Sequence, residues 1–185
     1  MPKSDNKVTK KIFSYPKGEE PTLIIPEEYR PYRFVLGQPR KKTLIAICMN
    51  PSAARKDYCD RTINRVIIAS QKLGYDGWLA VNTYPERATD ALNLDKFDPE
   101  LNSTNVAEIK KILKKYNVNE VWGAWGDLKH NSLIKGRDAI LEMLAQEKIK
   151  IFHFGNLTKS GNPHHPLYFR IEGKEKRYLS VNYSN

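Results

Sequence analysis

The feature that most constrains this chain is an unbroken apolar run that ends in a polar turn, Thr-Leu-Ile-Ala-Ile-Cys-Met-Asn-Pro-Ser at residues 43–52. A run this short, without polar alternation, is typical of a strand covered on both faces in a parallel sheet. Pro51 lacks an amide hydrogen and disfavours helical backbone at Asn50, so the strand should end there. Because open α/β sheets bind ligands at the carboxyl ends of their strands, Asn50 is the first candidate for chemistry.

Strand and helix signals alternate through the rest of the chain. Short apolar runs predict three more strands, at 77–81, 120–125 and 149–154. Apolar residues at the helical period predict three helices, at about 62–73, 106–116 and 133–144. Asp60 should cap the first helix, and Asn105 with Glu108 resembles a capping box for the second. This alternation predicts a three-layer α/β/α fold with a mostly parallel central sheet.

The segment before the first apolar run contains little regular signal. Residues 1–11 are polar and lysine-rich, and prolines with a glycine interrupt the residues that follow. Residues 32–36 alternate loosely before Gly37 and predict an edge strand. We therefore expect an N-terminal tail and irregular wrap over 1–30, and a single α/β domain over 31–185, since no repeat or linker divides that part.

The charge balance points to an anionic partner. The chain has 31 Lys plus Arg against 21 Asp plus Glu, a net charge of +10, which favours attraction to nucleic acid or a nucleotide over a role in solubility alone. Charge does not choose between DNA, RNA and a free nucleotide. No apolar run is long enough to span a membrane, no signal-peptide core is present, and two cysteines make no disulfide framework. We expect a cytoplasmic monomer without a membrane partner.

Each predicted strand of the sheet is followed by a distinctive polar or glycine-containing group. These groups are Asn50-Pro51-Ser52, Asn82-Thr83-Tyr84, Trp125-Gly126-Asp127, and Gly155 ahead of Pro163-His164-His165-Pro166. A cap or a turn explains any one of them, but four in succession predict a shared site at one edge of the sheet. GxGxxG, GxxxxGK[ST] and GxSxG motifs are absent, which argues against dinucleotide, P-loop and hydrolase sites.

The four histidines lack metal-ligand spacing with either cysteine, so we predict no metal and no cofactor. Adjacent side chains in extended backbone point to opposite sides, so only one of His164 and His165 should face a site. We assign that role to His165, and we expect His164 to be a hydrogen-bonded loop residue. His153 is expected to be a core histidine with its hydrogen bonds satisfied.

The order of these motifs resembles a known family. NPS is followed by D-x-T-x-x-R, V-N-x-x-x-x-R-A-T-D, A-W-G and finally G-x-P-x-H-P-L-Y, over about residues 32–169. This combination is similar to an uncharacterised bacterial and phage family, a domain of unknown function with NPS and HPLY signatures. That resemblance implies no activity.

The same order is similar, more distantly, to the uracil-DNA glycosylase superfamily. Met-Asn-Pro-Ser resembles the Ile-Asn-Pro-Gly motif of mismatch-specific glycosylases, Asn82 matches a base-reading asparagine, and His165-Pro166 matches the start of an HPSP-type loop. The resemblance implies a uracil-DNA-glycosylase-like fold for the single domain, in which Asn50 positions a water and His165 donates to the departing base. The residues it implies in substrate binding are Pro51, Ser52, Asn82, Trp125, Gly126 and Pro166. The chain departs from the superfamily at Cys48, where glycine is usual, in lacking an aromatic after Pro51, and in having HPLY for HPSP.

The leading functional hypothesis is therefore a glycosylase-like protein that processes a base in nucleic acid, more readily DNA than RNA. Flipping a paired base costs a few kcal/mol, which cation–phosphate contacts must offset. The candidate phosphate contacts are Arg55, Lys56, Arg61, Arg65, Arg87 and Lys159. A non-catalytic reader of nucleic acid or of a modified base is one alternative, and an enzyme acting on a free nucleotide is another. Salt-dependent DNA affinity without base release would favour the reader, and mononucleotide binding with little DNA affinity would favour the enzyme.

Overall fold

The computed structural model describes residues 12–88, 94 and 96–180. The predicted tail over 1–11 and the Thr89-Asp90 end of the RATD motif lie outside the described residues. The described part has these elements: β1 (Leu23–Ile25), β2 (Val35–Gln38), β3 (Thr43–Cys48), α1 (Arg61–Lys72), β4 (Gly77–Asn82), α2 (Pro99–Lys115), β5 (Glu120–Ala124), α3 (Asn131–Gln146), β6 (Lys150–Phe154) and β7 (Lys176–Tyr178).

These strands form one mixed sheet in the order β1-β2-β4-β3-β5-β6-β7. The four predicted strands are the parallel centre, β4-β3-β5-β6. The three remaining pairings, β1 with β2, β2 with β4 and β6 with β7, are antiparallel. The predicted α/β class is confirmed, but a mostly parallel sheet describes only its centre.

The missed strands explain that difference. Residues 23–25 read Leu-Ile-Ile between Pro21 and Pro26, and the prolines concealed a strand too short to show alternation. The strand predicted at residues 32–36 lies at Val35–Gln38, and its predicted edge position is wrong, because it pairs with β1 as well as with β4. β7 reads Lys-Arg-Tyr and is exposed throughout, so it carries no apolar signal.

The sheet is covered by helices on both faces. Along β3, Leu44, Ala46 and Cys48 share a buried cluster with the apolar side of α1. Ile45 and Ile47 belong to a second cluster that includes residues of α2 and α3. All of β3 is buried, as predicted, and each Leu or Ile buried this way stabilises the fold by about 2 kcal/mol.

Helix starts set the position of the strand-end loops. Asp60 caps α1 as predicted, its Oδ1 accepting from the Ile63 amide at 2.9 Å. The predicted start of the second helix is wrong, because α2 begins at Pro99 with Asp98 as its cap. Asn105 is instead fully buried inside α2 and donates from Nδ2 to the Asn82 carbonyl at 3.0 Å.

The residues ahead of the sheet also pack on it. Tyr15 is buried in the α1-side cluster and stacks on Trp78, with ring centroids 6.1 Å apart. Among the described helices, none combines the length and apolar character that crossing a membrane requires.

Candidate functional site

The carboxyl ends of β3, β4 and β5 lie side by side. Cys48 is paired with Asn82 on one side and with Ala124 on the other. Beyond the strands, Thr83 donates from its amide to the Cys48 carbonyl at 2.9 Å and from Oγ1 to the Met49 carbonyl at 2.6 Å. The segments that follow these three strands therefore leave the sheet at the same edge.

The NPS loop, residues 49–60, is braced by its own asparagine. Asn50 Nδ2 donates to the carbonyls of Pro51 at 3.1 Å and Ala88 at 3.0 Å. The Ala88 amide donates back to the Pro51 carbonyl at 3.2 Å. Both amide hydrogens of Asn50 are used in this way, which leaves Oδ1 as the atom with which it can hold a ligand or a water.

A second brace holds the Ala54 peptide from both sides. Asp60 Oδ2 accepts from the Ala54 amide at 3.0 Å, while Arg33 Nη1 donates to the Ala54 carbonyl at 2.7 Å. Arg87 Nη1 lies 3.4 Å from the carbonyls of Ser52 and Ala54. Because Asp60 also caps α1, the loop and the helix start are fixed to one carboxylate.

Arg33 is the residue of this brace that sequence reasoning missed. Its side chain is only 2% exposed, and among the described residues Nε has no hydrogen-bond partner. Burial and the charge of Arg87 lower the pKa of Arg33 to about 10, with Asp60 acting in the opposite direction. The guanidinium therefore stays charged at neutral pH. The available signal was an arginine directly before an apolar strand, where a charge needs a buried partner.

His165 lies against the end of β5. A β-carbon built on Gly126 would stand 2.8 Å from His165 Cβ, and the Gly126 amide donates to the Pro163 carbonyl at 3.0 Å. His165 Nδ1 accepts from the Leu167 amide at 3.2 Å, which assigns the proton of the neutral ring to Nε2. Burial lowers the pKa of His165 to about 4, against the opposing charge of Asp60. At neutral pH this imidazole is uncharged and donates from Nε2.

Its neighbour has a different role. The His164 ring stacks on Phe169, with centroids 4.4 Å apart and planes within 8°. The two histidines thus have separate surroundings, as their adjacency suggested. His153 departs from expectation, because it is buried and its Nδ1 has no hydrogen-bond partner within residues 12–88, 94 and 96–180.

Asn162 joins the HPLY loop, residues 162–168, to the end of β5. Its Oδ1 accepts from Trp125 Nε1 at 3.2 Å and from Arg137 Nη1 at 3.3 Å, and its Nδ2 donates to Asp127 Oδ1 at 3.0 Å. Thr158 Oγ1 donates to the same Asp127 oxygen at 2.6 Å. Sequence reasoning quoted Asn162 only as a spacer, although an asparagine before proline is a usual turn residue.

The predicted substrate contacts differ in how far they are buried. Asn82 is 1% exposed, and its Nδ2 has no hydrogen-bond partner in the part of the chain that the structure describes. It follows Trp78 and Ala80 in strand alternation, so its side chain is on the α1 face. Trp125 belongs to the core on the opposite face. Pro51 and Pro166 are buried, whereas Ser52 is half-buried.

The six predicted phosphate contacts differ in exposure and in whether their donors are already used in hydrogen bonds. Arg55, Lys56, Arg61 and Lys159 are exposed, but the half-buried Arg87 spends its donors on loop carbonyls. Arg65 lines a small cavity of about 20 Å³ together with Trp122, Pro166 and Phe169, room for one water. Arg55 lies over the Tyr29 ring, 4.1 Å from its centroid.

The chemistry of the remaining reactive side chains is limited. Cys48 and Cys59 are free and buried, and burial raises the pKa of each thiol to about 12, so neither is a nucleophile at neutral pH. In the described part of the chain, no three His, Cys, Asp or Glu side chains are grouped to hold a metal ion.

Comparison with known proteins gives the family. The chain belongs to the family described as Protein of unknown function (DUF1643), whose model matches residues 33–167. The predicted membership of a family of unknown function is thereby confirmed. No curated protein and no solved structure gives a significant match.

Proposed function

We propose that this chain is a uracil-DNA-glycosylase-like protein that binds a nucleobase in DNA and hydrolyses its N-glycosidic bond. One observation carries the proposal: a neutral histidine that donates from Nε2 and an asparagine with an unspent Oδ1 both follow strands that end at the same edge of the sheet. Cleavage of this bond needs both kinds of group, an acceptor to hold the water and a donor for the charge that develops on the base.

The step is a hydrolysis. The water oxygen bonds to the sugar C1′, the C1′–N bond breaks, and its electron pair leaves with the base. In this mechanism Asn50 Oδ1 accepts from the attacking water and orients it. His165 Nε2 donates to the oxygen of the base where negative charge develops, and the proton lost by the water passes to solvent. An amide oxygen is a weak base, so the expected enzyme is slow and selective.

A nucleic acid is the proposed partner because of the charge, and DNA is preferred to RNA because of the resemblance to the uracil-DNA glycosylases. A net +10 favours binding to phosphates, and Arg55, Lys56 and Arg61 are exposed on the NPS loop and at the start of α1, which follows it. The unpartnered Nδ2 of the buried Asn82 is a donor suited to a base carbonyl. These features support a pocket for an oxygen-bearing base close to a phosphate-binding surface.

The test is base release from labelled duplexes that contain uracil, mismatched thymine or a hypermodified pyrimidine. Asn50→Ala and His165→Ala should each reduce release by at least tenfold, while His164→Ala, which alters the stacked neighbour, should leave it within threefold. Thermal unfolding of each variant shows whether the fold is kept. Release that is unchanged in both Asn50 and His165 variants would remove the mechanism.

A second function, non-catalytic recognition of a base, is favoured by the bracing of Asn50. Its amide nitrogen serves the loop rather than a substrate. Salt-dependent DNA binding with no base released from any duplex or from the corresponding single strands would establish this function in place of catalysis.

A further inference from the structure

Two exposed tyrosines lie at the sheet edge where the strand-end loops emerge. Tyr168, in the HPLY loop, is 84% exposed, and Tyr29 is 60% exposed. Tyr29 is beside the loop after β4, because the Arg33 amide donates to the Pro85 carbonyl and the Arg87 amide donates to the Pro31 carbonyl. Among the described residues, neither ring belongs to a core cluster, so both rings are available to a ligand.

The Tyr168 ring is presented by a tight turn. Its amide donates to the His165 carbonyl at 3.0 Å, and its ring centroid is 5.7 Å from that of His165, with the planes tilted by 43°. The next residue, Phe169, packs against the core and stacks on His164. The turn therefore anchors one aromatic and leaves the other facing solvent beside the histidine that we assign to the base.

Tyr29 serves a different purpose, because it fixes a cation. The Arg55 guanidinium lies 4.1 Å from the Tyr29 ring centroid and 5.7 Å from that of Tyr58. Within the described residues the Arg55 side chain makes no hydrogen bond and no ion pair. A guanidinium held by aromatic rings with its donors unspent is suited to bind a phosphate. Arg87, 5.0 Å from the same ring, adds further positive charge.

We infer that this edge binds single-stranded DNA, with an unpaired base stacked on Tyr168 and a phosphate of the same strand on Arg55. The inference rests on the proposed function and specifies its substrate. The segment that carries Arg55 follows β3, and the segment that carries Tyr168 lies against the end of β5. β3 and β5 are neighbouring strands, about 5 Å apart. A duplex needs only cations for its phosphates, because its bases stack on each other. An exposed ring and an arginine with free donors at the same sheet edge are the combination that binds unpaired bases.

The test is fluorescence anisotropy of the full chain with a labelled oligothymidine, its duplex with oligoadenine, and thymidine monophosphate as competitor. The wild type should bind the single strand at least tenfold more tightly than the duplex. Tyr168→Ala should weaken single-strand binding by roughly 5- to 100-fold, the range for loss of one stacked base, and Tyr168→Phe should restore it. Tyr178→Ala, a matched control at an exposed tyrosine of β7, should stay within twofold.

Separate variants test whether the Tyr29 ring holds Arg55 in place for a phosphate. Tyr29→Ala should weaken single-strand binding at least threefold and Tyr29→Phe should restore it, because the ring and not the hydroxyl holds the guanidinium. Equal effects of Tyr29→Ala and Tyr178→Ala would remove Tyr29 from the site.

The outcomes separate this inference from the proposed function. Preference for the duplex, or unchanged single-strand affinity in Tyr168→Ala, would overturn the inference while base release by the wild type leaves the proposed function standing. Absence of both DNA binding and base release would end the proposed function and the inference with it. If thymidine monophosphate competes at the same concentration as the oligothymidine, the inference is also overturned, because a single nucleotide then makes all the contacts of the site.

Discussion

Gly126 lies against His165, with no room for a side chain between them. A β-carbon on Gly126 would stand 2.8 Å from His165 Cβ and 3.4 Å from the His165 amide nitrogen. The glycine that ends the third parallel strand thus sets how closely the histidine approaches the sheet edge. The Trp-Gly and His-Pro motifs, about forty residues apart in the chain, are parts of one packed unit.

The first prediction follows from that contact. Gly126→Ala should displace the HPLY loop, because the added methyl group would have to move backbone and not a flexible side chain. We expect a loss of about 2–3 kcal/mol in the free energy of unfolding, from positive φ and from overpacking together, and base release at least tenfold lower. Urea unfolding and the base-release assay measure the two effects.

Gly161→Ala provides the matched control. Gly126 and Gly161 have similar positive φ, 71° and 78°, but a β-carbon on Gly161 would meet nothing within 4 Å. The control should show the backbone cost alone, about 1 kcal/mol. Equal losses in the two variants would mean that the contact with His165 contributes nothing.

The second prediction concerns pH. The folded pKa of His165, about 4, lies below the ordinary value of 6.5, so the unfolded chain takes up a proton between these values and the native chain does not. The stability linked to His165 is therefore complete above pH 6.5 and is lost as the pH falls towards 4, by up to about 2–3 kcal/mol. His165→Gln should flatten the dependence of unfolding free energy on pH in this window. His164→Gln should keep the wild-type slope; a wild-type slope in His165→Gln would refute the prediction.

The central strands could be predicted from sequence because their apolar runs are continuous and each ends in a marked polar or glycine residue. Thr43–Cys48 and Gly77–Asn82 match the expected positions closely. β1 and β7 could not be predicted, since three residues between prolines or among charges have no period to detect. The start of α2 was missed because Asn105 looks like a cap in sequence, whereas burial against the Asn82 carbonyl decides its place.

The candidate site was predictable only in outline. The crevice rule predicted that Asn50, Asn82 and Gly126 lie at one edge, since it needs only that their strands run parallel. Arg33 and Asn162 were missed because their roles arise from partners distant in the chain, Ala54 and Trp125. Among the described residues, Arg87 donates to backbone carbonyls and Arg55 does not, so of the two only Arg55 keeps its donors for a phosphate. This difference depends on which carbonyls each guanidinium reaches, and no spacing in the sequence reveals it.

The third prediction tests Asn162 as a positioning residue. Asn162→Ala removes the acceptor of the buried Trp125 indole N–H, and a buried donor left unpaired costs about 1–3 kcal/mol. Because the same side chain links Asp127 and Arg137, base release should also fall at least threefold. The exposed Asn156 hydrogen-bonds Arg177 on the surface, and Asn156→Ala should change the unfolding free energy by less than about 0.5 kcal/mol. Equal changes in the unfolding free energy of Asn162→Ala and Asn156→Ala would contradict the role of Asn162.

The fourth prediction tests the brace around Ala54. Asp60→Asn should destabilise the fold by about 2–4 kcal/mol, because it weakens the cap of α1 and removes the negative charge near the buried Arg33. In an Arg33→Met background the same change should cost at least 1 kcal/mol less, since no buried cation remains to be compensated. A double-mutant cycle by urea unfolding gives this coupling, and strictly additive losses would show that the two charges do not interact.

The last prediction concerns the salt dependence of DNA binding. If Arg55 binds a phosphate, Arg55→Gln should lower affinity for the oligothymidine and reduce the slope of log K against log salt by about 0.7, the contribution of one phosphate contact on a single strand. Lys41→Gln removes an equal charge from the opposite edge of the sheet, ahead of β3, and so controls for the change in net charge. Its slope should stay at the wild-type value. A guanidinium already held on the Tyr29 ring loses less side-chain freedom on binding than a mobile lysine does, so Arg55→Lys should restore the charge but only part of the affinity. Full recovery by lysine would show that the aromatic support of Arg55 has no part in phosphate binding.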